Sequence, residues 1–105
     1  MKLDDPVLKK CRSVLESLYG PRLRGVILYG STARGTDTKE SDIDLLVLLD
    51  GPVDVAEEIF RIWGVLMPVQ MELDRLFSVA PADAESYQRG ELNFYRNVSE
   101  EGIAV

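Results

Sequence analysis

The chain has 105 residues, one cysteine, no histidine and a formal charge of −6, a length that suggests a single domain over residues 1–105 with room for one small core. The acidic balance argues against nucleic acid as the main partner, because phosphate backbones select basic faces. Without histidine there is no imidazole base, no Ser-His-Asp triad and no ordinary zinc site, so any metal must be held by oxygen, as Mg²⁺ or Mn²⁺ is.

Leu3, Val7, Leu8, Cys11, Val14, Leu15 and Leu18 recur at helical spacing, with Asp5 and Pro6 suited to the N-cap and first helical position. Cys11 falls on that apolar stripe and reads as a buried thiol, and a lone cysteine cannot form an internal disulfide. Gly20-Pro21 ends the helix. Leu23 to Tyr29 reads as a short strand that Gly30 breaks, and Ser31 to Arg34 as one helical turn. Ile43 to Leu49 is an apolar run of the kind found in a strand covered on both faces.

Asp50-Gly51-Pro52 marks a turn. Asp54 with Glu57 forms an acidic capping pattern, opening a helix with Val55, Ile59, Ile62, Trp63 and Leu66 on one side. Its end is expected between Gly64 and Met67. Val69 to Val79 is expected to be a third strand. Pro81 opens a helix through Ala84 to Gln88, and Leu92, Phe94, Tyr95 and Val98 mark a last one, with Gly102 as its C′ residue. The second and third strands flank a crossover helix and are expected to be parallel neighbours with a right-handed connection. The fold class is α/β, a small mixed sheet flanked by helices. No apolar run reaches membrane-spanning length and the N-terminus is no signal peptide, so a cytoplasmic location is expected.

The chemistry is expected in YGSTARGTDTKESDIDLLVLL, residues 29–49. Strand side chains alternate faces, so Asp42 and Asp44 point to the same side. Two such carboxylates repel unless a cation lies between them, and a divalent metal meets that need. Gly30 allows the backbone close to a ligand. Ser31 opens a turn whose free N–H groups suit phosphate, and Arg34 can add a charge-assisted contact. If Val69 to Val79 is a strand, Glu72 and Asp74 share one face, and a third carboxylate from there would suit a two-metal site. Each piece alone has an ordinary structural use, as a turn, a solvated surface acid or an exposed strand face. The combination is what points to a metal-nucleotide site.

GSTARGTDTKESDID resembles the signature of the DNA polymerase β nucleotidyltransferase superfamily: Gly-Ser, ten residues, then Asp-x-Asp. Its G-S-x-A-R-G and S-D-I-D versions are similar to those of the minimal nucleotidyltransferases, and the closing NFYRNVSEEGIAV is similar to their C-termini. The resemblance implies the polymerase β palm fold and Mg²⁺-dependent transfer of a nucleoside monophosphate from ATP or another NTP to a hydroxyl. It implies that Gly30 and Ser31 hold the triphosphate, that Asp42 and Asp44 bind metal, and that a third acid, Asp74 or else Glu72, sits on a later strand. It further implies a HEPN-domain protein partner, often an RNase toxin, for which the chain acts as antitoxin, in homo- or hetero-oligomeric form. Two other readings stay open. One is a docking module that neutralises its partner with little catalysis, through Tyr87, Phe94 and Tyr95 unless these pack internally. The other is a small-molecule nucleotidyltransferase of the antibiotic-modifying kind, whose pocket would need a dimer.

Overall fold

The computed structural model describes residues 5–36, 38 and 42–105; Leu3 of the first helical stripe and positions 37 and 39–41 of the polar loop lie outside them. Helix α1 spans Pro6–Tyr19 and starts as its sequence requires, with the Asp5 carboxylate accepting from Val7 N at 2.8 Å and Pro6 in the first turn. A 3₁₀ turn, Gly20–Arg22, leads into β1, Leu23–Tyr29. After the short α2, Gly30–Arg34, come β2, Ile43–Leu49, and α3, Val55–Leu73, whose N-cap Asp54 accepts from Glu57 N at 3.1 Å. The chain continues through β3, Phe77–Asp83, α4, Ala84–Arg89, α5, Asn93–Glu101, and β4, Ile103–Ala104.

The four strands form one mixed sheet in the order β3-β2-β1-β4. β2 runs antiparallel to β1 and parallel to β3, and α3 is the crossover between the parallel pair. β2 therefore has a strand on each side and helices on each face. Ile43, Leu45, Val47 and Leu49 point into a core with Leu8, Cys11 and Leu15 of α1 and Ile62, Leu66 and Val69 of α3. Leu46 and Leu48 point the other way, into a smaller cluster with Ala82, Ala84 and Val98. A continuous apolar run is what such two-sided burial demands.

The third strand is not where its composition suggested. Gly64 and Pro68, which mark a helix end in sequence, both lie inside α3, which runs on to Leu73. Pro68 removes one backbone donor and frees the Gly64 carbonyl, four residues back. Both residues are exposed, so the freed carbonyl lies on the solvent side of the helix rather than in the core, while the buried stripe Ile62, Leu66, Val69 continues past the proline. Burial of that stripe outweighs the local breakers. β3 consequently begins at Phe77 and carries Pro81 in its interior, which an edge strand tolerates. β4 is only two residues long and pairs with Ile27 and Leu28. Gly102 is extended rather than left-handed, and a Cβ there would meet Ile27 Cγ2 and Val98 O at 2.5 Å.

At the C-terminal end of β2, Arg22 clamps the loop into α3. Its guanidinium donates to the Asp50 and Pro52 carbonyls at 3.1 Å each and to Glu58 Oε2 at 2.5 Å. Glu58 is 2% exposed and also accepts from the Tyr19 hydroxyl at 3.1 Å. Burial, and then the Glu58 charge, push the Tyr19 hydroxyl above its ordinary range.

Two outcomes follow. Arg22→Met leaves Glu58 short of its main partner and should lower the unfolding free energy by about 2–4 kcal/mol in urea titration, whereas the Arg22→Met/Glu58→Leu double variant should recover most of that loss. Burial pushes the Cys11 thiol up to about 12. Folded protein at pH 8 should therefore resist iodoacetamide, and labelling, followed by mass spectrometry, should track global unfolding in denaturant.

Candidate functional site

The site forms where β1 ends and β2 begins. The antiparallel register pairs Tyr29 with Asp44, and the parallel register pairs Asp44 with Ser78. By strand alternation these three side chains make one row across the sheet, on the face that carries Leu46 and Leu48. Phe94 of α5 closes on the end of the row, its ring edge-on to Tyr29 with centroids 5.5 Å apart. Asp42 is exposed and immediately precedes β2.

Gly30 is the joint between the two halves. It opens α2 with φ of 73°, a conformation that side chains disfavour, and a Cβ at this position would overlap Asp44 Oδ2. The strand acid thus lies directly against the backbone of the glycine-serine turn. Behind it the turn is tightly tied. Thr32 is 2% exposed and its hydroxyl donates to the Tyr29 carbonyl at 3.2 Å. The Ser31 carbonyl accepts from Thr36 N at 3.0 Å, and Gly35 ends the helix in the left-handed region. Arg34, in the last turn of α2, is exposed and ion-paired with Glu101 at 3.2 Å.

The electrostatics follow from this proximity. Desolvation raises the Asp44 carboxyl above its usual range and the Asp42 charge raises it further, against the pull of Arg34 and a hydrogen bond from Ser78. Tyr29 is raised in turn by burial and by Asp44. Gly30, Arg34, Asp42 and Asp44 therefore belong to one locality, with Ser31 in its backbone. Two carboxylates held close, one of them half-buried, suit a hard divalent cation with oxygen ligands.

The expected strand acids are elsewhere. Glu72 lies in the last turn of α3, and Asp74 is its exposed C-cap, with φ of 51° and its N–H donating to the Gln70 carbonyl. A helical segment has no two-residue alternation to aim both side chains at β2, so the shared strand face does not exist. Among the described residues no group of three or more cysteine, aspartate or glutamate side chains is placed to hold a metal. Ser78 was not singled out from sequence. The signal that finds it is the start of β3 at Phe77, which the Gly64 and Pro68 breakers disguised. Tyr29 and Phe94 also escaped notice as the apolar wall of the site. Tyr87 and Tyr95, expected as contact residues or as packing, pack against each other at 5.9 Å over the smaller cluster.

The sign of the Asp44 shift gives a test. Its carboxyl titrates higher folded than unfolded, so ionisation opposes folding above the folded value and has no effect below the unfolded one. Solvent screening keeps this under about 1 kcal/mol. Asp44→Asn should raise the Tm of metal-free protein at pH 7 by about 1–4 °C, and the gain should vanish in melts at pH 3.

The comparisons with known proteins bear on family and fold. Over 103 residues the chain is 32% identical to "Putative protein adenylyltransferase MJ0604" of Methanocaldococcus jannaschii, covering 94% of each. It is 41% identical over 44 residues to "Putative protein adenylyltransferase MJ1379" of the same organism, 42% of each chain. Among solved structures, a chain from "Crystal structure of the toxin-antitoxin with AMP-PNP" superposes with a TM-score of 0.63 at 23% identity, over 91% of this chain and 69% of that one, a likeness of fold. The family profile "Nucleotidyltransferase domain" matches residues 8–78, from α1 through the whole Tyr29–Asp44–Ser78 row. The chain belongs to the nucleotidyltransferase family, with the α/β fold of a mixed sheet flanked by helices.

Proposed function

We propose that this protein transfers AMP from ATP to a hydroxyl on a partner protein, as the antitoxin of a pair whose other member is a HEPN-domain toxin. The observation that carries the reading is the abutment of Asp44 on Gly30, which puts a metal-type carboxylate against a phosphate-type turn. The name of the M. jannaschii relative supports a protein acceptor, and the complex named in the structural match supports a toxin-antitoxin setting.

In this reading Asp42 and Asp44 hold Mg²⁺, or Mn²⁺ in its place. The ion, when bound, would neutralise the paired acids and draw electron density from the phosphates. Gly30 and Ser31 present backbone N–H groups to the triphosphate, since residues at the start of a helix have no intrahelical acceptor. Arg34 adds positive charge on the same side. The acceptor oxygen attacks the α-phosphorus, the bond to pyrophosphate breaks, and the acceptor proton leaves with solvent or a partner base. Tyr29 and Phe94 screen one flank of the site from water. Glu72 and Asp74 have no part in this scheme.

A second reading has its own observation. Ser78 occupies the place beside Asp44 that a third acid would take, which favours a chain that binds nucleotide and docks on its partner with weak turnover. Among the described residues nothing favours the small-molecule reading. Among the described residues, no helix is long and apolar enough to cross a membrane.

The test is to incubate the chain with ATP, Mg²⁺ and the product of the adjacent gene, and to weigh that product by mass spectrometry. A gain of one AMP is expected, slowed about 100-fold or more in Asp42→Ala, since a metal contact contributes several kcal/mol. A stable complex with no added mass, unaltered in Asp42→Ala, would leave docking alone.

A further inference from the structure

Building on the nucleotide-metal reading above, we infer that this chain's own residues hold one divalent cation rather than two, because Ser78 stands where a third carboxylate would complete a two-ion site. The argument rests on what flanks Asp44. Across the sheet its neighbours in register are Tyr29 on β1 and Ser78 on β3. Neither is an acid. β3 is the edge of the sheet, so among the described residues no further strand lies beyond Ser78 to bring a carboxylate in from that side.

Among the described residues the alternatives along the chain are also accounted for. Glu72 and Asp74 belong to the end of α3, and no group of three acids converges among the described residues. Two cations about 3.5–4 Å apart repel strongly and need carboxylates that bridge and flank them. Asp42 and Asp44 supply two negative charges, enough to neutralise one ion. The acceptor hydroxyl is then not acidified by an ion of this chain, and the group that takes its proton must come from the acceptor protein or from water.

The experiment counts ions rather than turnover. Titrate the full-length protein with Mn²⁺ in saturating α,β-methylene-ATP and follow free and bound Mn²⁺ by electron paramagnetic resonance. One bound Mn²⁺ per chain is expected for wild type and for Ser78→Ala. Ser78→Asp should bind two, with the spectral broadening of a coupled pair, and its metal-free Tm should fall and then recover with Mn²⁺. Two ions on the wild type would overturn the inference while leaving the proposed function standing, as would Ser78→Asp remaining at one. No ion on the wild type, with no nucleotide retained, would take down both. Circular dichroism of Ser78→Asp checks its fold, and the wild-type count decides the matter if that variant does not fold.

Discussion

The contact between Asp44 and Gly30 is the constraint on which the functional end of this molecule depends. A carboxylate that occupies the space of a missing Cβ fixes three things together: the identity of residue 30, its positive φ, and the closeness of α2 to the mouth of β2. The register of β1 against β2 makes this possible, since Tyr29 opposite Asp44 leaves Gly30 as the next residue to turn. A one-residue slip would place Asp44 on the α1–α3 face among Leu8, Leu15 and Leu66, where a carboxylate has no partner. The buried alternation of Leu45, Leu46, Val47 and Leu48 holds the register, so core packing sets the position of the acid.

The two ends of β2 divide the work. At one end, Arg22 ties the β2–α3 loop through two carbonyls and the buried Glu58. At the other, like charges crowd and nothing among the described residues neutralises them fully. The first arrangement is fully partnered and stabilises the crossover; at the second, burial and the Asp42 charge both disfavour the ionised Asp44. Local conflict of this kind, in an otherwise consistent fold, marks a functional site.

Much of this was legible in the sequence because the site motif is contiguous. Gly30, Ser31, Asp42 and Asp44 sit at the breaks of two short apolar runs, where alternation and turn chemistry are informative. The family resemblance rested on the same residues and holds. The third strand was illegible for a physical reason: Gly64 and Pro68 break helices in local terms, but both face water on a helix whose other side is buried, and tertiary burial prevailed. That displacement moved β3 by several residues, turned Glu72 and Asp74 into strand acids on paper, and hid Ser78. β4, at two residues, carries no period to detect. Its place is set by contacts distant in sequence, with Val105 N donating to the Val26 carbonyl at 2.9 Å and Arg12 to the Val105 carbonyl at 2.6 Å.

The charge distribution bears on how such a chain would hold a polyphosphate. The protein carries a net −6, and among the described residues the cation acting on Asp44 is Arg34, itself shared with Glu101. A free triphosphate brought to Asp42 and Asp44 would meet two like charges and half an arginine. Backbone N–H groups at the start of a single-turn helix offer direction but little charge. A cation between acids and phosphates would turn that repulsion into attraction on both sides, and in the proposed function nucleotide and metal would bind as one species. In the proposed function the row Tyr29–Asp44–Ser78 would divide the work: the acid would hold the ion, with an uncharged side chain on either side of it.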